Sequence, residues 1–194
     1  MRSGRRQQIL EVIARELETK PGAKLTTAAL AAAVGVSESA LYRHFPSKAK
    51  MFDALIEFAE DAVFGLITRI LQEQADPVQR CAQIGSVMLQ FAEKNPGIAR
   101  ILIGDILLGE NERLRARVLQ FFERLETQIR QVLREATLAP GPQPDRALIL
   151  SAANLLCALL IGRISQFVRS GFRQPPTQHW AEQWGMLARA LFVA

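Results

Sequence analysis

The sequence is poor in the residues that usually build covalent, metal-binding or catalytic sites. Its 194 residues include two cysteines, two histidines, two tryptophans and one tyrosine. Cys81 and Cys157 are far apart and fit no metal-ligand spacing, so we expect two buried thiols in a reducing compartment. His44 and His179 are equally isolated. Paired carboxylates, a nucleophile with a base and a phosphate-binding loop are also lacking, so we expect no catalytic residue, no metal and no cofactor.

Runs that alternate between apolar and polar residues are lacking too, which argues against strands. Apolar residues make up 49% of the chain, and helix-favouring residues dominate, so we expect an all-α protein with a buried core. The N-terminus has no apolar signal region. The uncharged run 147–161 is shorter than the roughly 20 residues of a membrane span. We therefore expect a buried interface helix there and no membrane partner.

Excess positive charge is confined to the first quarter of the chain. Residues 1–50 carry nine Lys or Arg and four Asp or Glu, whereas residues 51–194 carry fifteen of each. A local basic excess is typical of a nucleic-acid-binding module, although solubility alone could also account for it. Arg2, Arg5 and Arg6 fit either a flexible arm on DNA or a disordered, solvated end.

Caps and helix breakers divide the chain into nine expected helices. Thr26 and Ser37 are good N-caps, Gly35 favours a turn, and Asn95 is expected to cap the sixth helix. The expected helices lie at about 4–19, 28–34, 38–44, 48–72, 77–94, 98–108, 114–133, 145–170 and 177–192.

The fourth expected helix carries more large apolar residues than one face can hold. Its buried stripe is expected to consist of Phe52, Leu55, Ile56, Ala59, Val63, Leu66, Ile67 and Ile70. Phe58 and Phe64 fall outside this stripe. Each either marks an interaction surface or packs against a neighbouring helix, and the sequence leaves both readings open.

Residues 26–45 have the pattern of a helix-turn-helix. Two short helices joined by a glycine turn must cross steeply, which small residues at Ala31 and Ala32 allow. Apolar anchors are expected to hold the unit together, and these are Leu30, Val34, Val36, Leu41 and Phe45. The second helix can then enter the major groove of DNA and present its polar side chains to the base edges.

The polar residues of this unit suggest individual roles on DNA. Arg43 suits a guanine contact through O6 and N7, and Ser39 and Ala40 suit base edges or a thymine methyl. Tyr42 and Lys48 suit phosphate oxygens. The candidate DNA-binding residues are Thr26, Thr27, Ser37, Ser39, Ala40, Tyr42, Arg43, His44 and Lys48. Tyr42 also fits a partly buried ring and His44 a helix-end residue.

Residues 31–48, with the pattern Ala-x-x-Val-Gly-Val-Ser-x-x-x-Leu-Tyr-x-His-Phe-x-x-Lys, resemble the signature of the TetR family. The resemblance implies a TetR-like fold with a helix-turn-helix domain at 1–47 and a helical dimerisation and partner-binding domain at 48–194. It also implies binding of double-stranded DNA by a homodimer, joined through the last two long helices. The candidate dimer-interface residues are Leu155, Leu156, Leu159 and Leu160.

Longer stretches resemble one group within that family, the nucleoid occlusion factors. The stretches are 38–48, 51–61, 95–102, 122–135 and 167–172, and the resemblance is weakest at 62–92 and 139–144. It implies a cytoplasmic, nucleoid-associated protein that binds specific chromosomal sites. Such a protein inhibits assembly of the tubulin-like division protein FtsZ and so blocks septum formation over the chromosome. Whether dimers assemble further on DNA stays open.

The same resemblance places the FtsZ contact around the fourth and fifth helices. Phe58, Lys94 and Asn95 are the candidate residues for binding the acidic C-terminal tail of FtsZ, with Arg100 as a further nearby cation. The alternative is a TetR-type transcriptional repressor that responds to a small-molecule ligand. Such a pocket needs convergent polar groups, and the densely apolar body offers only Asn154 and Cys157 for that role.

Overall fold

The computed structural model describes residues 2–19, 26–107, 112–136 and 146–192. These residues form nine α-helices, one 3₁₀ helix and no strand, which confirms the expected all-α class. The helices are α1 (Arg2–Thr19), α2 (Thr27–Val34), α3 (Glu38–His44), α4 (Lys48–Glu73), α5 (Pro77–Lys94), α6 (Pro96–Leu102), α7 (Glu112–Ala136), α8 (Arg146–Arg169) and α9 (Trp180–Phe192). The 3₁₀ helix, Asp105–Leu107, follows α6.

The end of α6 and the start of α9 differ from the expectation, and backbone conformation explains both differences. α6 ends at Leu102 instead of reaching 108, because Gly104 adopts a φ of 78° that a helix cannot continue. α9 begins at Trp180 instead of 177, because His179 has a φ of 62°. The expected last residue of the sixth helix, Leu108, lies outside the described residues.

The helix-turn-helix is set by local caps. The hydroxyl of Thr26 accepts a hydrogen bond from the amide of Ala29 at 3.2 Å, and that of Ser37 accepts one from the amide of Ala40 at 3.2 Å. Gly35 ends α2 with a φ of 73°, a left-handed conformation that other residues adopt only at a cost. These three local features fix the ends of α2 and α3 at the expected places.

A small apolar core joins α1, α2 and α3. Its buried residues are Ile9, Ile13, Leu17, Leu30, Ala31, Leu41 and Phe45. Of the two small residues expected at the crossing of α2 and α3, Ala31 is buried and Ala32 is exposed. Val34 and Val36 are only partly buried. The crossing therefore depends on one alanine and not on two.

The body consists of α4 to α9, and α8 is its most apolar long helix. By length and composition alone, α8 is the one helix of the described part that could cross a membrane. A core helix passes the same test, and α8 packs against α5, α6 and α7. Its inward face contributes Ala153, Leu156, Leu160 and Ile164 to the core.

The expected apolar stripe of α4 is wrong at Leu66, and of the two readings left open for Phe64 the structure supports packing against a neighbouring helix. Phe64 is 3% exposed, its ring lies 5.2 Å from that of Phe121, and the guanidinium of Arg124 lies 3.9 Å from its centroid. Leu66, which was expected in the core, is 44% exposed. Because α7 covers the Phe64 side of α4 and leaves the Leu66 side open, the position of α7 decides which residue is buried.

α1 and α6 meet at backbone contact. A Cβ atom built on Gly97 would lie 2.0 Å from the carbonyl oxygen of Ala14, so no other residue fits there without displacing α1. Three residues further along α6, Arg100 is 2% exposed. Its Nη1 donates to the carbonyl of Leu17 at 2.7 Å, and its Nε to Asp105 Oδ2 at 2.7 Å. This junction joins the DNA-binding helices to the body.

Candidate DNA, dimer and partner interfaces

The polar side chains of α3 lie on the surface at one end of the molecule. Ser39, Arg43 and His44 are exposed, while Leu41 between them is buried and anchors the helix. Arg43 and His44 lie in the last turn of α3, where the positive charge of Arg43 complements the helix dipole. Helix α3 can therefore approach DNA without losing any of its core contacts.

Two candidate DNA-binding residues also hold the unit together. The Tyr42 hydroxyl donates to Thr27 Oγ1 at 3.3 Å, which links α3 to the start of α2. Tyr42 is 40% exposed, so its hydroxyl remains available at the surface. The hydroxyls of Ser37 and Ser39 lie 3.0 Å apart. Thr26 and Ser37 are N-caps, so each orders the amides at a helix start, where a phosphate can bind.

The expectation for the basic N-terminus is wrong in both of its forms for Arg5 and Arg6. Neither residue lies in a flexible arm or a disordered end, because α1 begins at Arg2. The guanidinium of Arg6 stacks 4.9 Å from the ring centroid of Phe45, and Arg5 donates to Gln8 at 3.4 Å. The side chain of Arg2 lies outside the described part of the chain.

Lys48 is half-buried at the first turn of α4. Its ammonium lies 5.8 Å from the ring centroid of Phe52, a buried residue. The stem of a lysine can cover apolar surface while its charge stays in water. Lys48 therefore combines a packing role with a charge at the same end of the molecule as α3.

Burial within the protomer excludes two of the four candidate dimer-interface residues. Leu156 and Leu160 are fully buried inside the protomer and cannot touch a second chain. Leu155 is 54% exposed and Leu159 is partly buried. Leu148 is exposed seven residues before Leu155, on the same side of α8. We call Leu148, Leu155 and Leu159 the leucine face. Leu148 was not among the predicted interface residues, although its seven-residue spacing from Leu155 is readable in the sequence.

Phe58 and Asn95 both contact Phe91, and Lys94 precedes Asn95 at the end of α5. Phe58 is 41% exposed, and its ring centroid lies 6.2 Å from that of Phe91. Asn95 Nδ2 donates to the carbonyl of Phe91 at 2.8 Å. Asn95 thus closes α5, and its side chain does not cap α6 as expected. Lys94 is exposed beside it, in the last turn of α5.

The structure removes Arg100 from this surface and adds other residues. Arg100 is buried at the junction of α6 with α1, so it offers no cation to a tail peptide. An open groove of about 320 Å³ between α4 and α5 is lined by Leu66, Arg69, Ile70, Glu73, Gln74, Gln83 and Val87. Phe58, Leu66 and Ile70 repeat at multiples of four residues and share one side of α4. Leu66 was missed because the sequence placed it in the core.

An ion cluster fixes α4 against α7. Arg117 on α7 donates to Asp53 and, at 2.8 Å, to Glu60, and Lys50 pairs with Asp53 at 3.0 Å. Burial acts to raise the pKa of Asp53, but the hydrogen bonds from Lys50 and Arg117 outweigh it and hold that pKa below its usual value. Hydrogen bonding to Glu60 raises the pKa of Arg117. The pair of Asp53 and Arg117 therefore stays charged over the physiological range.

The two residues proposed for a small-molecule pocket, Asn154 and Cys157, contact residues of α7. Asn154 is exposed and donates to Glu126 at 3.2 Å. The Cys157 thiol is buried and faces the carbonyl of Phe122 at 3.8 Å. Burial raises the pKa of Cys157 to about 11, and that of Cys81 to about 12. Both thiols are buried, as predicted.

The fold and the helix-turn-helix define a TetR-type DNA-binding regulator, and comparisons with known proteins agree. Residues 9–55 match the model of bacterial regulatory proteins of the tetR family. Residues 74–192 match a tetracyclin repressor-like C-terminal domain of the SlmA-like type.

Among solved structures, FadR from Bacillus halodurans superposes with a TM-score of 0.79 at 14% identity, covering 94% of each chain. PfmR from Thermus thermophilus gives 0.73 at 21%, covering 93% of this chain and 97% of the other. At these identities the likeness concerns the fold alone.

Curated relatives are much closer in sequence. The nucleoid occlusion factor SlmA of Shewanella frigidimarina is 54% identical over 189 residues, which cover 96% of this chain and 94% of the relative. That of Marinomonas sp. is 51% identical over 192 residues, covering 99% and 97%. The chain belongs to the SlmA-type nucleoid occlusion factors of the TetR family.

Proposed function

We propose that this protein is a dimeric nucleoid occlusion factor that binds specific chromosomal sites and, there, captures the acidic C-terminal tail of FtsZ. Full-length similarity to the SlmA proteins is the observation that carries the proposal. Inhibition of FtsZ assembly would then be confined to places where chromosome is present. Such a protein acts in the cytoplasm, on the nucleoid.

The first part of the proposal, DNA binding, rests on α3. Exposed Arg43 supplies a planar pair of donors that matches guanine O6 and N7, and Ser39 lies on the same helix closer to its N-terminus. Thr27 and Tyr42 form one hydrogen-bonded pair at the edge of the unit and suit a phosphate. Base contacts then set the sequence preference, while phosphate contacts set the register.

The second part of the proposal, formation of a dimer, rests on the leucine face. Leu148 and Leu155 are each more than half exposed in the protomer, which is unfavourable for large apolar groups side by side in water. Met186 on α9 is exposed as well. A second copy that covers α8 and α9 would bury this surface and hold two α3 helices on two half-sites.

The third part of the proposal, binding of FtsZ, rests on the open side of α4. Phe58 and Leu66 offer exposed apolar anchors on α4. Arg69 lines the α4–α5 groove, and Lys94 offers a second cation in the last turn of α5. An acidic peptide with apolar residues is the chemistry that this combination fits. DNA that carries several dimers would raise the local concentration of such sites, so weak single contacts gain avidity.

Fluorescence polarisation of a labelled FtsZ tail peptide tests the proposed surface. Phe58→Ala and Lys94→Glu should each weaken peptide binding by tenfold or more, on the order of one lost anchor, and keep DNA affinity. Leu119→Ala is a matched control, because Leu119 is equally apolar and exposed on α7. If neither substitution weakens a peptide that the wild type binds well, the surface is misplaced.

Sedimentation of FtsZ polymers tests the outcome of binding. The protein together with DNA that it binds specifically should reduce the pelleted FtsZ more than either alone. If the wild type binds no tail peptide and leaves polymers unchanged even with this DNA, the ligand-responsive repressor becomes the better description of the protein.

A further inference from the structure

We infer that Arg163 is a positioning residue for the dimer: its guanidinium docks α9 beside the leucine face, so that both helices meet a second copy of the chain in one fixed arrangement. The inference rests on the proposed dimer and names the side chain that prepares its interface within each protomer. It predicts that a chain without this contact stays folded but pairs weakly.

The connection between α8 and α9 has an unfavourable backbone conformation. Gly171, Phe172 and His179 are left-handed, with φ values of 63°, 64° and 62°. Phenylalanine and histidine adopt this conformation only at a cost, so contacts with the surrounding structure must hold it. His179 directly precedes α9. The direction in which α9 leaves the connection therefore depends on contacts outside the backbone of the connection.

One guanidinium supplies three such contacts. Arg163 on α8 donates from Nε to the carbonyl of Pro176 at 2.6 Å and from Nη2 to the carbonyl of Gln178. Its Nη1 donates to Gln183 Oε1 at 2.5 Å. Two acceptors lie in the connection, and the third lies in the first turn of α9. Because the donors lie in one rigid plane, they fix both the distance and the angle between α8 and the start of α9.

The start of α9 is also anchored on α5, through Trp180. A Cβ on Gly85 would lie 2.2 Å from Cζ2 of Trp180, so this ring lies directly against the backbone of α5. Its Nε1 donates to Ser86 Oγ at 2.9 Å. Trp180 and Trp184 are the buried residues of α9. A helix anchored near one end can still change direction, and the bond from Arg163 to Gln183 opposes that change.

Arg163 stands beside the leucine face. It follows Leu155 by eight residues and Leu159 by four, so it shares their side of α8. The contacts of its guanidinium therefore bring the start of α9 to the edge of that face. Leu155 on α8 and Met186 on α9 are exposed in the protomer, and a second copy that covers both helices needs them in one arrangement. An interface that is ordered before association loses less entropy on pairing.

The docking of α9 has its own spectroscopic signal. The chain has two tryptophans, Trp180 and Trp184, and both are buried at the start of α9. Tryptophan emission shifts to the red when water reaches the rings. Emission thus reports on the docking of α9, sedimentation equilibrium on pairing, and far-UV circular dichroism on the helices as a whole.

The main test replaces Arg163 by lysine, which keeps the charge but cannot serve three acceptors from one rigid plane. Arg163→Lys should weaken dimerisation by about tenfold or more and shift the emission to the red, with an unchanged far-UV spectrum. Arg130→Lys is the matched control, because Arg130 donates to Thr127 of its own helix. This control should keep the dimer and the emission of the wild type.

A Leu155→Arg background separates the cause of the emission change from its consequence. In that monomeric protein Arg163→Lys should still shift the emission, because Arg163 acts within the protomer. If Leu155→Arg alone shifts the emission as far and Arg163→Lys adds nothing, undocking follows from loss of pairing and the inference is overturned.

Two results with Arg163→Lys alone overturn the inference and leave the proposed dimer standing. One is dimerisation as tight as that of the wild type. The other is weaker pairing with the wild-type emission, since pairing is then lost while α9 stays docked. A monomeric wild type, or a dimeric Leu155→Arg protein, defeats the proposed interface and the inference together.

Gln183→Met gives a test that stays valid if Arg163→Lys does not fold. It removes the one acceptor within α9 and leaves Arg163 its two carbonyls in the connection. Dimerisation should weaken by about threefold to tenfold, the effect of one hydrogen bond, with a smaller red shift than that of Arg163→Lys. Wild-type dimerisation of Gln183→Met would overturn the inference as well.

Discussion

The DNA-binding helices and the body are stabilised by different kinds of interaction. α2 and α3 have only eight and seven residues, and hydroxyl caps, one glycine and a few buried side chains hold them. In the body, helices of 24 to 26 residues bury long apolar faces, and Arg117 clamps two carboxylates of α4. Helices as short as α2 and α3 are not stable alone, so their position depends on α1 and α4.

The two regions also present different surfaces. The DNA-binding end exposes hydroxyls, Arg43 and His44, whereas the body exposes large apolar side chains on α4 and α8. Polar groups at the first end suit a ligand that carries phosphates and base edges. Apolar groups at the second suit other proteins. The fold thus separates the polar surface of α3 from the apolar surfaces of α4 and α8, and the two regions meet at α1, α4 and α6.

The largest effect is expected from the leucine face. Leu155→Arg should give a folded monomer, because Leu155 is mostly exposed in the protomer and an arginine there would be buried without a partner in the dimer. Affinity for a two-half-site duplex should fall by about a hundredfold or more, since the two α3 helices are no longer linked. Analytical ultracentrifugation measures the mass, with Leu119→Arg on α7 as the control. A dimeric Leu155→Arg protein would rule out this interface.

The next largest effect is expected at the contact between the two regions. Gly97→Ala should lower the free energy of unfolding by about 2–4 kcal/mol, because its Cβ would overlap the carbonyl of Ala14. Gly65→Ala is the matched change in α4, where a Cβ meets no atom within 4 Å. It should raise the free energy of unfolding by about 0.5–1 kcal/mol, since alanine favours helix. Urea unfolding followed by circular dichroism compares the two, and equal effects would contradict the tight contact.

At the DNA-binding end we expect a smaller and more selective effect. Arg43→Ala should lose about 1–3 kcal/mol of preference for the cognate sequence over a scrambled one. Lys48→Ala should weaken both duplexes alike and lower the slope of log affinity against log salt by about one. Titrations at several salt concentrations separate the two behaviours. An unchanged preference in Arg43→Ala would refute the guanine contact.

The smallest effect is expected from the ion cluster of the body. The pKa of Asp53 is held below its ordinary value of 3.8, so its ionised form stabilises the fold above that pH and loses this contribution as the pH falls through the lowered pKa. Asp53→Asn should therefore cost about 1 kcal/mol at pH 7 and progressively less below pH 4. Unfolding of both proteins between pH 7 and pH 3 measures the difference. A cost that persists at pH 3 would show that it does not come from ionisation.

Sequence patterns predicted the DNA-binding end better than the body for a physical reason. The bounds of α3 depend on Ser37 and on the residues next to it, and such caps act over three or four residues. The exposure of Leu66, Leu156 and Phe64 depends on which helix covers each face, and that information is distant in the sequence. The sequence left Phe58 open between exposure and packing, and the structure shows it 41% exposed with its ring 6.2 Å from that of Phe91. The burial of Arg100 could not be predicted, since its acceptor is a backbone carbonyl 83 residues away.

The leucine face has a genetic consequence. If protomers pair through α8, a chain with a defective α3 and an intact Leu148, Leu155 and Leu159 still pairs with normal chains. Mixed pairs then hold one competent recognition helix instead of two, so the defect is dominant over the wild-type copy in the same cell. A second change at Leu155 in the same chain prevents pairing and makes that defect recessive.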